Sequence, residues 1–361
     1  MANSNSGDCF VLKNGRSVRS AIIFGRNSLA PEGEVHEVVY FPGTSGSTSV
    51  TCDGGASIDC GDRFGVILSR PVGLWGGESG GNEKDVVVGL SWSEDEPSEG
   101  GLKATDIVRL ALERSPTAED AINEITSLTN SYTSESTRFS FVLCDRHQVW
   151  FLSIAGKHWA AELMSSDFQR IPSTCLNVRT EITKSSDNLK DNLKDAGIWN
   201  GTDDFNFAKL FCSNYEEPNW PDPQPEDGPQ FGTRDMMAKL READADNVVR
   251  SSHVSHIDKE SIAAHWFTAT PFPQQSVFKP FVFAPNPKIS PLTQIVEGET
   301  LTLLQKLHGQ RNWEKVGDLL KSLEETCYEE LNSFLIKHPE ANSELDELMK
   351  DCVEAEVKFY R

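Results

Sequence analysis

The chain has 361 residues, of which 38% are hydrophobic, and its formal net charge is -21 at pH 7. This length and apolar content suffice for one large domain or two smaller ones with a buried core. A surface this acidic repels phosphate backbones and anionic lipids, which excludes nucleic acids and membrane surfaces from the expected partners.

The N-terminal stretch MANSNSGDCF carries no basic segment followed by a long apolar run, which argues against a secretory signal. No window of the sequence approaches the ~20 apolar residues of a membrane-spanning helix. We therefore expect a soluble protein of the cytoplasm.

The eight cysteines are too few for a disulfide scaffold in a chain of this length. Cys52 and Cys60 lie in TCDGGASIDCGD, where no CxxC pair or paired histidine indicates a metal site, so free thiols are expected. Cys144 and Cys175 stand in apolar surroundings and are predicted to be small core residues.

The first third of the chain predicts β-strands. Its short runs rich in β-branched or aromatic residues, bounded by Gly, Asn, Pro or Asp, are CFVLK, AIIFGR, EVHEVVYFP, FGVILSRP and DVVVGLSW. Two amphipathic helices follow, in KATDIVRLALER and AEDAINEITSLTNSY. FSFVLCD and VWFLSIAG, split by DRHQ, then predict a hairpin, and HWAAELM continues the strand pattern.

The rest of the chain divides into a polar region and a helical one. Residues 183–250 are polar, and their segment NYEEPNWPDPQPEDGPQ is rich in Pro and acidic residues, which predicts an insertion or loop. LLQKLH, VGDLLKSLEETCYEELNSFLIKH and SELDELMKDCVEAEVKF carry apolar residues at helical spacing. We expect one domain over 1–290 and a helical C-terminal tail over 291–361.

Strands, two helices and further strands predict an α+β or layered α/β fold. A doubly wound parallel sheet fits this order poorly. No GxGxxG or GxxxxGK segment follows a predicted strand, so the sequence offers no basis for a nucleotide site.

Several uncommon stretches occur together in the order GDCFVL, IIFGRNS, EVHEVVYFP, VILSRPVGLWGGESGGNE, DIVRLALERSPTAEDA, AGKHWAAE and HWFTATPFPQQSVFKPFVF. In this order the chain resembles the secernin family over Gly7 to Phe283. Secernins are similar to cysteine dipeptidases of the N-terminal nucleophile (Ntn) hydrolase superfamily. The resemblance implies an Ntn-hydrolase-like fold, a four-layer αββα sandwich of two antiparallel sheets, with no cofactor or metal.

The chemistry implied by this resemblance is amide hydrolysis by an N-terminal cysteine. Removal of a preceding segment frees the α-amine, the thiolate attacks the carbonyl, and nearby donors hold the oxyanion. The mechanism requires the cysteine to be the first residue of the mature chain.

The chain departs from the family pattern at three places. Where the family has Cys-Asp-Thr/Cys-Phe-Val, this chain places Gly7 at the nucleophile position. Where the family has FGKNSDR, Arg26 is the expected basic residue, but Leu29 replaces the Asp that would hold the α-amine. The asparagine expected after AGKHWAAE has no evident counterpart in IPSTCLNV.

Cys9 is the alternative nucleophile. Its side chain shares a face of the strand with residue 7, because strand side chains alternate. Two residues along a strand span roughly 6–7 Å, whereas attack needs a contact of about 3–3.5 Å. Use of Cys9 therefore requires either a shifted substrate or a strand that slips by two residues, and in both cases removal of residues 1–8. The alternative is that Cys9 is a small buried side chain without a catalytic role.

The segment LWGGESGGNE offers the remaining candidates. Asn82 is a candidate oxyanion donor, and Glu78 and Glu83 are candidate substrate-binding residues. An ordinary turn before the next strand explains SGGNE equally well. Trp75 is a candidate cleft residue, although a core position fits a tryptophan better.

His253, His256 and His265 suggest a metal site only weakly, since no carboxylate or cysteine with ligand spacing accompanies them. Solvated or packed histidines are expected instead. Asp145, Arg146 and His147 are sequential and predict a hairpin tip rather than a triad.

Two functions remain open from the sequence. The first is a secernin-like relative of cysteine dipeptidases with impaired catalysis, which binds a small peptide, an amine-bearing ligand or a protein partner through its acidic surface or helical tail. The family association also implies a role in regulated exocytosis. The second is an active dipeptidase that uses Cys9.

Overall fold

The computed structural model describes residues 6–13, 21–94, 100–213, 215, 231–242 and 249–360. The strands, in chain order, are β1 Ser6–Leu12, β2 Ile22–Leu29, β3 His36–Phe41, β4 Thr48–Thr51, β5 Ser57–Cys60, β6 Val66–Pro71, β7 Ser79–Asn82, β8 Val87–Glu94, β9 Arg138–Cys144, β10 Val149–Ala155, β11 His158–Leu163, β12 Phe168–Ile171, β13 Lys184–Ser185, β14 Val249–Ile257, β15 Ala264–Phe267 and β16 Lys279–Phe281. The helices are α1 Ala104–Arg114, α2 Ala118–Tyr132, α3 Leu189–Asp195, α4 Phe207–Phe211, α5 Thr233–Glu242, α6 Leu303–Gln310, α7 Trp313–Lys337 and α8 Leu348–Phe359.

The main strands form one antiparallel path in the order β13-β11-β10-β9-β8-β1-β2-β14-β15-β16. Strand β12 adds to β1, and β3, β6 and β7 extend from β8. The two halves of the path meet where Ser6 of β1 pairs with Trp92 of β8. The antiparallel strands and packed helices agree with the predicted α+β class.

Helices cover the sheets on opposite sides. The apolar faces of α1 and α2 pack with β8, β9 and β10 in one cluster that includes Ile107, Ile122 and Phe141. Helices α5 and α7 pack on β1, β2 and β14 in another cluster that includes Met236 and Leu331. Between these clusters, side chains of β1 and β2 meet those of β8, β9 and β10.

The region 183–250 contains more structure than the sequence predicted. Helices α3, α4 and α5 lie in it, and Met236, Met237 and Leu240 of α5 are buried. Because the few apolar residues of this polar region fall at helical spacing, α5 packs on the sheet despite a hydrophilic sequence. Most of NYEEPNWPDPQPEDGPQ lies outside the described residues.

The C-terminal helices are part of the folded body. Lys279 of β16 and Glu356 of α8 form a fully buried ion pair at 2.7 Å. Leu331 and Leu335 of α7 enter the cluster that also contains Trp266. No helix in the described ranges is long and apolar enough to cross a bilayer.

The cysteine predictions are confirmed for Cys52, Cys60 and Cys144, and Cys175 is a buried core residue as predicted but also forms a disulfide that the sequence did not show. Cys52, Cys60 and Cys144 are unpaired and buried. Cys175, in contrast, forms a disulfide with Cys212, which is 37 residues away along the chain. A local apolar context cannot reveal a partner at that separation.

Candidate active site

Cys9 and Arg26 lie directly opposite each other in the antiparallel pair of β1 and β2. Opposed residues of such a pair direct their side chains to the same face of the sheet, with Cβ atoms about 4.5–5.5 Å apart. Both side chains are buried, with 0% of Cys9 and 1% of Arg26 exposed to solvent. The sequence brings a thiol and a guanidinium together inside the protein.

The Arg26 guanidinium is held by several acceptors. Its Nε donates to the Leu90 carbonyl at 2.7 Å, and its Nη1 donates to Glu78 Oε2 at 3.0 Å and to the Ser28 hydroxyl. Among the described residues, Arg26 Nη2 and Glu78 Oε1 have no hydrogen-bond partner. The ion pair therefore keeps one donor and one acceptor unused.

Glu78 is the counter-charge of this site. Burial by itself would raise the pKa of the Glu78 carboxyl, but the Arg26 charge and the hydrogen bonds from Ser28 and Arg26 keep it below its usual value. Glu78 is thus ionised at neutral pH. Glu78 was a candidate substrate-binding residue from the sequence, and the structure places it in the same cluster as Arg26.

Gly7 lies under the Arg26 guanidinium. A Cβ atom built on Gly7 would come within 2.5 Å of Arg26 Cζ, Nε and Nη2. Gly7 itself pairs with Ser28 across β1 and β2, and Leu29 pairs with Ser6. In this structure arginine atoms, rather than a nucleophile, fill the space beside the family position.

The Cys9 thiol is protonated in this environment. Burial raises the pKa of Cys9 to about 12, although the Arg26 charge acts in the opposite direction. Its Sγ lies 3.5 Å from the Gly7 carbonyl oxygen, which is consistent with a thiol that donates to it. The uncleaved chain therefore holds Cys9 in an unreactive form.

The side-chain amide of Asn82, the candidate oxyanion donor, is fully engaged in hydrogen bonds within the protein. Its Nδ2 donates to the carbonyls of Leu112 and Ser115 at 2.7 and 2.8 Å, and its Oδ1 accepts from the backbone N–H groups of Lys84 and Val86. Because a side-chain amide carries only two N–H donors, none is left for a substrate. Asn82 stabilises the β7–β8 turn and ties it to α1.

Trp75 and Glu83 also lie away from the cluster of Cys9 and Arg26. The Trp75 ring stacks on Arg109, at 4.1 Å from Cζ to the ring centroid, and packs against the core around α1. Glu83 is exposed in the β7–β8 turn, where its backbone N–H donates to Gly65. The structure gives both residues packing or turn contacts rather than a place beside Cys9.

Asn177, which was not named as a candidate from the sequence, is connected to the Arg26 cluster through Ser91. It lies in the IPSTCLNV segment, and its Nδ2 donates to Ser91 Oγ at 2.6 Å. Ser91 follows Leu90, whose carbonyl accepts from Arg26. The signal was present, since an asparagine does stand in the segment where the family pattern expects one.

His253 and His265 are buried, His256 is half-buried, and His253 and His256 share a strand rather than a helix. His253 and His256 lie on strand β14, and their spacing of three puts their side chains on opposite faces. His253 hydrogen-bonds to Ser79 at 3.1 Å and to Ser255 at 2.7 Å, and Ser255 also contacts His265 Nδ1 at 2.8 Å. Burial lowers the pKa of His253 and of His265, so both rings are neutral.

His253 also borders the site. It pairs with Arg26 across β14 and β2, so Cys9, Arg26 and His253 stand in one row across three strands.

The hairpin tip predicted at Asp145 is confirmed as a turn, because Asp145 Oδ1 accepts from the N–H groups of His147 and Gln148.

One group in the described part of the chain has the donors for a cation. Glu34, His36 and Glu78 bring three ligand atoms within 4.8 Å of one another. A carboxylate–imidazole set of this kind suits a divalent metal ion. The Arg26 charge on Glu78 opposes a cation there, and His36 instead contacts Glu34 at 2.8 Å.

Asp8 occupies a separate polar position on β1. Its Oδ2 accepts from Arg170 Nη2 at 2.5 Å, and its Oδ1 accepts from the Ser173 backbone N–H at 3.0 Å. Arg170 belongs to β12, where it pairs with Phe10. The residue that precedes Cys9 is thus anchored by its carboxylate.

Comparisons with known proteins agree on a hydrolase relationship. Peptidase family C69 matches residues 82–220. Dipeptidase A of Lactobacillus helveticus is 30% identical over 127 residues, which are 33% of this chain and 26% of that protein. The alignment thus spans about a quarter of the relative's length. Both matches are to peptidases and support a relationship of this chain to Peptidase family C69. The segment that matches the family begins at residue 82, which is after Cys9 and Arg26.

Two solved structures give weaker similarities. A mutant conjugated bile acid hydrolase from Clostridium perfringens has a TM-score of 0.37 and 10% identity, over 77% of this chain and 92% of that chain. An N-acylethanolamine-hydrolyzing acid amidase ortholog from Caenorhabditis elegans has a TM-score of 0.34 and 10% identity, over 68% and 91%.

Proposed function

We propose that this chain is a cysteine-type amide hydrolase of the dipeptidase class, with Cys9 as a latent nucleophile that removal of residues 1–8 activates. The observation that carries the proposal is the register in which Cys9 stands opposite Arg26, both buried on one face of the sheet. The secernin-like identity, the four-layer Ntn-hydrolase-like arrangement and a cytoplasmic location belong to the same proposal.

Strand β1 gains the neighbouring strand β12 only from Cys9 onward. Pairing with β12 runs from Cys9 to Leu12, while β2 pairs with the whole strand from Ser6 to Leu12. The buried apolar residues of β1 are Cys9, Phe10, Val11 and Leu12. A cut before Cys9 therefore removes no described apolar core side chain and leaves the remaining strand bonded on both sides.

Removal of residues 1–8 would alter the chemistry of Cys9 in two ways. The Gly7 carbonyl beside Sγ would leave, and the new α-amine would stand next to the thiol as a base. Loss of Gly7 would also uncover the Arg26 guanidinium, whose Nη2 has no partner among the described residues. Both changes favour the thiolate, because a nearby positive charge and a better-solvated site lower a thiol pKa.

The reaction then follows from these groups. The α-amine accepts the Cys9 proton, Sγ attacks the substrate carbonyl, and the C–N bond breaks as the leaving amine takes that proton. Water hydrolyses the resulting thioester and releases the acid. Arg26 and an amide N–H of Asn177 are the candidate donors for the oxyanion.

The second candidate function is non-catalytic binding, with a role in regulated exocytosis that the secernin resemblance implies. Gly7 at the family nucleophile position and the Arg26 atoms in its side-chain volume favour it. In this case residues 6–8 stay in place, Cys9 stays protonated, and a peptide or protein partner binds elsewhere on the acidic surface.

Intact mass measurement on protein from its native source separates the two functions. Mature chains that begin at Cys9 and take up one thiol-reactive electrophile within minutes support the hydrolase. Chains that retain residues before Cys9 and stay unlabelled at that position contradict it.

A dipeptide hydrolysis assay completes the test. The full-length protein is folded with a specific protease site in place of residues 3–6, with Gly7 and Asp8 retained, and is then cut before Cys9. Hydrolysis must appear on cutting and must be absent in Cys9→Ala, whereas Cys144→Ala, which removes another buried thiol, is the matched control.

A further inference from the structure

The Asp8 carboxylate is bound by groups that lie outside residues 1–8 and would therefore remain after these residues are removed. Its two partners, the Arg170 guanidinium and the Ser173 N–H, belong to β12 and to the residues just after it. Strand β12 pairs with Phe10, Val11 and Leu12, which remain after a cut before Cys9. The donors therefore stay where they are when Asp8 leaves.

The position of Asp8, directly before Cys9, indicates which part of a substrate these donors would bind. The bond that the proposed activation breaks joins the Asp8 carbonyl to the Cys9 nitrogen. Asp8 is thus the acyl-side residue of that amide, and its side chain marks where the acyl-side residue of a substrate would extend. A carboxylate held by a guanidinium and a backbone N–H is a charge-assisted arrangement, which is stronger and more selective than a neutral one.

The surroundings of Arg170 connect this position to the site. A cavity beside it is lined by Arg170, Ile171, Asn177 and Arg179. Ile171 is the β12 partner of Cys9, and Asn177 binds Ser91 next to the Leu90 carbonyl that Arg26 uses. Arg170 is paired with Asp8 in this structure, so loss of Asp8 takes one carboxylate partner away from its guanidinium.

We propose that Arg170 and the Ser173 N–H form a subsite for an acidic side chain on the acyl side of the cleaved amide, and that aspartyl dipeptides are the preferred substrates. This inference rests on the proposed function. Asp8 fills the subsite in the uncleaved chain and thereby acts as an internal substrate mimic.

The test compares Asp-Ala with Asn-Ala, which differ only in carboxylate against amide. With the protein folded at full length and cut before Cys9, kcat/KM for Asp-Ala is expected to exceed that for Asn-Ala by at least tenfold. Arg170→Gln is expected to bring the ratio close to one, and Arg170→Lys to retain part of it. Arg146→Gln, which removes an arginine paired with Asp85 at the β9–β10 turn, leaves the ratio unchanged.

Binding measurements keep the subsite testable without turnover. The Cys9→Ser chain, prepared in the same way, is titrated with Asp-Ala and Asn-Ala by calorimetry. A Kd for Asp-Ala at least tenfold lower, with the difference lost in Arg170→Gln, supports the subsite even if no hydrolysis occurs, in which case the proposed hydrolase alone is refuted. Hydrolysis without any preference overturns the subsite alone, and equal or absent binding together with absent hydrolysis overturns both.

Discussion

The Arg26 guanidinium occupies the space that any side chain on Gly7 would need, with Arg26 Cζ only 2.5 Å from the place of a Gly7 Cβ. Any larger residue at this position must therefore displace the Arg26 side chain. The same contact covers Arg26 from one side, which links the missing nucleophile of the family pattern to the closed state of Cys9.

Replacement of Gly7 by alanine should destabilise the uncleaved protein. The added methyl group must displace a guanidinium that Glu78 and the Leu90 carbonyl hold in place, and overpacking of this kind costs about 1–3 kcal/mol. Urea denaturation measures the effect. Gly61→Ala is the control, since a Cβ there meets nothing within 4 Å, and its change should stay within about 0.5 kcal/mol. An equal loss in both variants would contradict the packing argument.

Replacement of Glu78 by glutamine should be among the most damaging single changes. It leaves the buried Arg26 charge without its counter-charge, and removal of one partner from a buried ion pair costs about 3–5 kcal/mol. Glu135→Gln is matched in chemistry but breaks an exposed pair with Lys157, for which a loss below about 1 kcal/mol is expected. Chemical denaturation of both variants at pH 7 measures the two losses in the free energy of unfolding. A loss for Glu78→Gln as small as that for Glu135→Gln would mean that Arg26 finds another acceptor.

Asn82→Ala should reduce stability rather than impair chemistry. The change leaves the Leu112 and Ser115 carbonyls and two backbone N–H groups without their partner, which costs about 2–4 kcal/mol in total. Asn123→Ala, on the exposed face of α2, should have almost no effect on the melting temperature. If a hydrolase activity is found, the folded Asn82→Ala protein should retain it, and its loss at full folding would restore Asn82 as a site residue.

The buried histidines should make the fold sensitive to mild acid. Burial lowers the pKa of His265 to about 3 from its ordinary value of 6.5, so below pH 6.5 the unfolded chain binds a proton that the folded chain does not. The free energy of unfolding must then fall as the pH falls from 6.5 towards 3, by up to about 1.4 kcal/mol per pH unit for this group.

Denaturation of wild-type protein and His265→Gln at pH 7, 6 and 5 measures this contribution. The variant should lose stability less steeply below pH 6, by about 1 kcal/mol per pH unit, whatever its stability at pH 7. His147→Gln, which removes an exposed histidine at the β9–β10 turn, should keep the wild-type slope. Equal slopes for wild type and His265→Gln would show that His265 is protonated in the folded protein.

Local patterns predicted most of the regular elements. The run CFVLK overlaps β1 except for its last residue, Lys13. The helical spacing of AEDAINEITSLTNSY corresponds to α2 from Ala118 to Tyr132, and the two runs around DRHQ form the β9–β10 hairpin. Strand β7, in SGGN, was not predicted, because its glycine-rich sequence has no β-branched residue. Pairing with β6 and β8 holds it in place. Helix α5 escaped because its surroundings are polar.

The site was only partly predictable, because its members meet through long-range pairing. Arg26 was named from the family resemblance and Glu78 from the segment LWGGESGGNE, but their ion pair joins residues 52 positions apart. The sequence left Asn82 open between a turn and an oxyanion donor, because an asparagine that caps a turn and one that binds an oxyanion look identical in sequence. The row of Cys9, Arg26 and His253 depends on the register of three strands, which no short motif contains.

The two-sided pairing of residues Cys9 to Leu12 has a consequence for any chain that begins at Cys9. A newly formed terminus normally frays, since its first residues lose neighbours and gain conformational entropy. Here the new first residue would be locked into a ladder between β2 and β12 from the outset. The nucleophile would start each turnover already immobilised, so its orientational entropy would be lost once, when the protein folds, and not again whenever a substrate arrives.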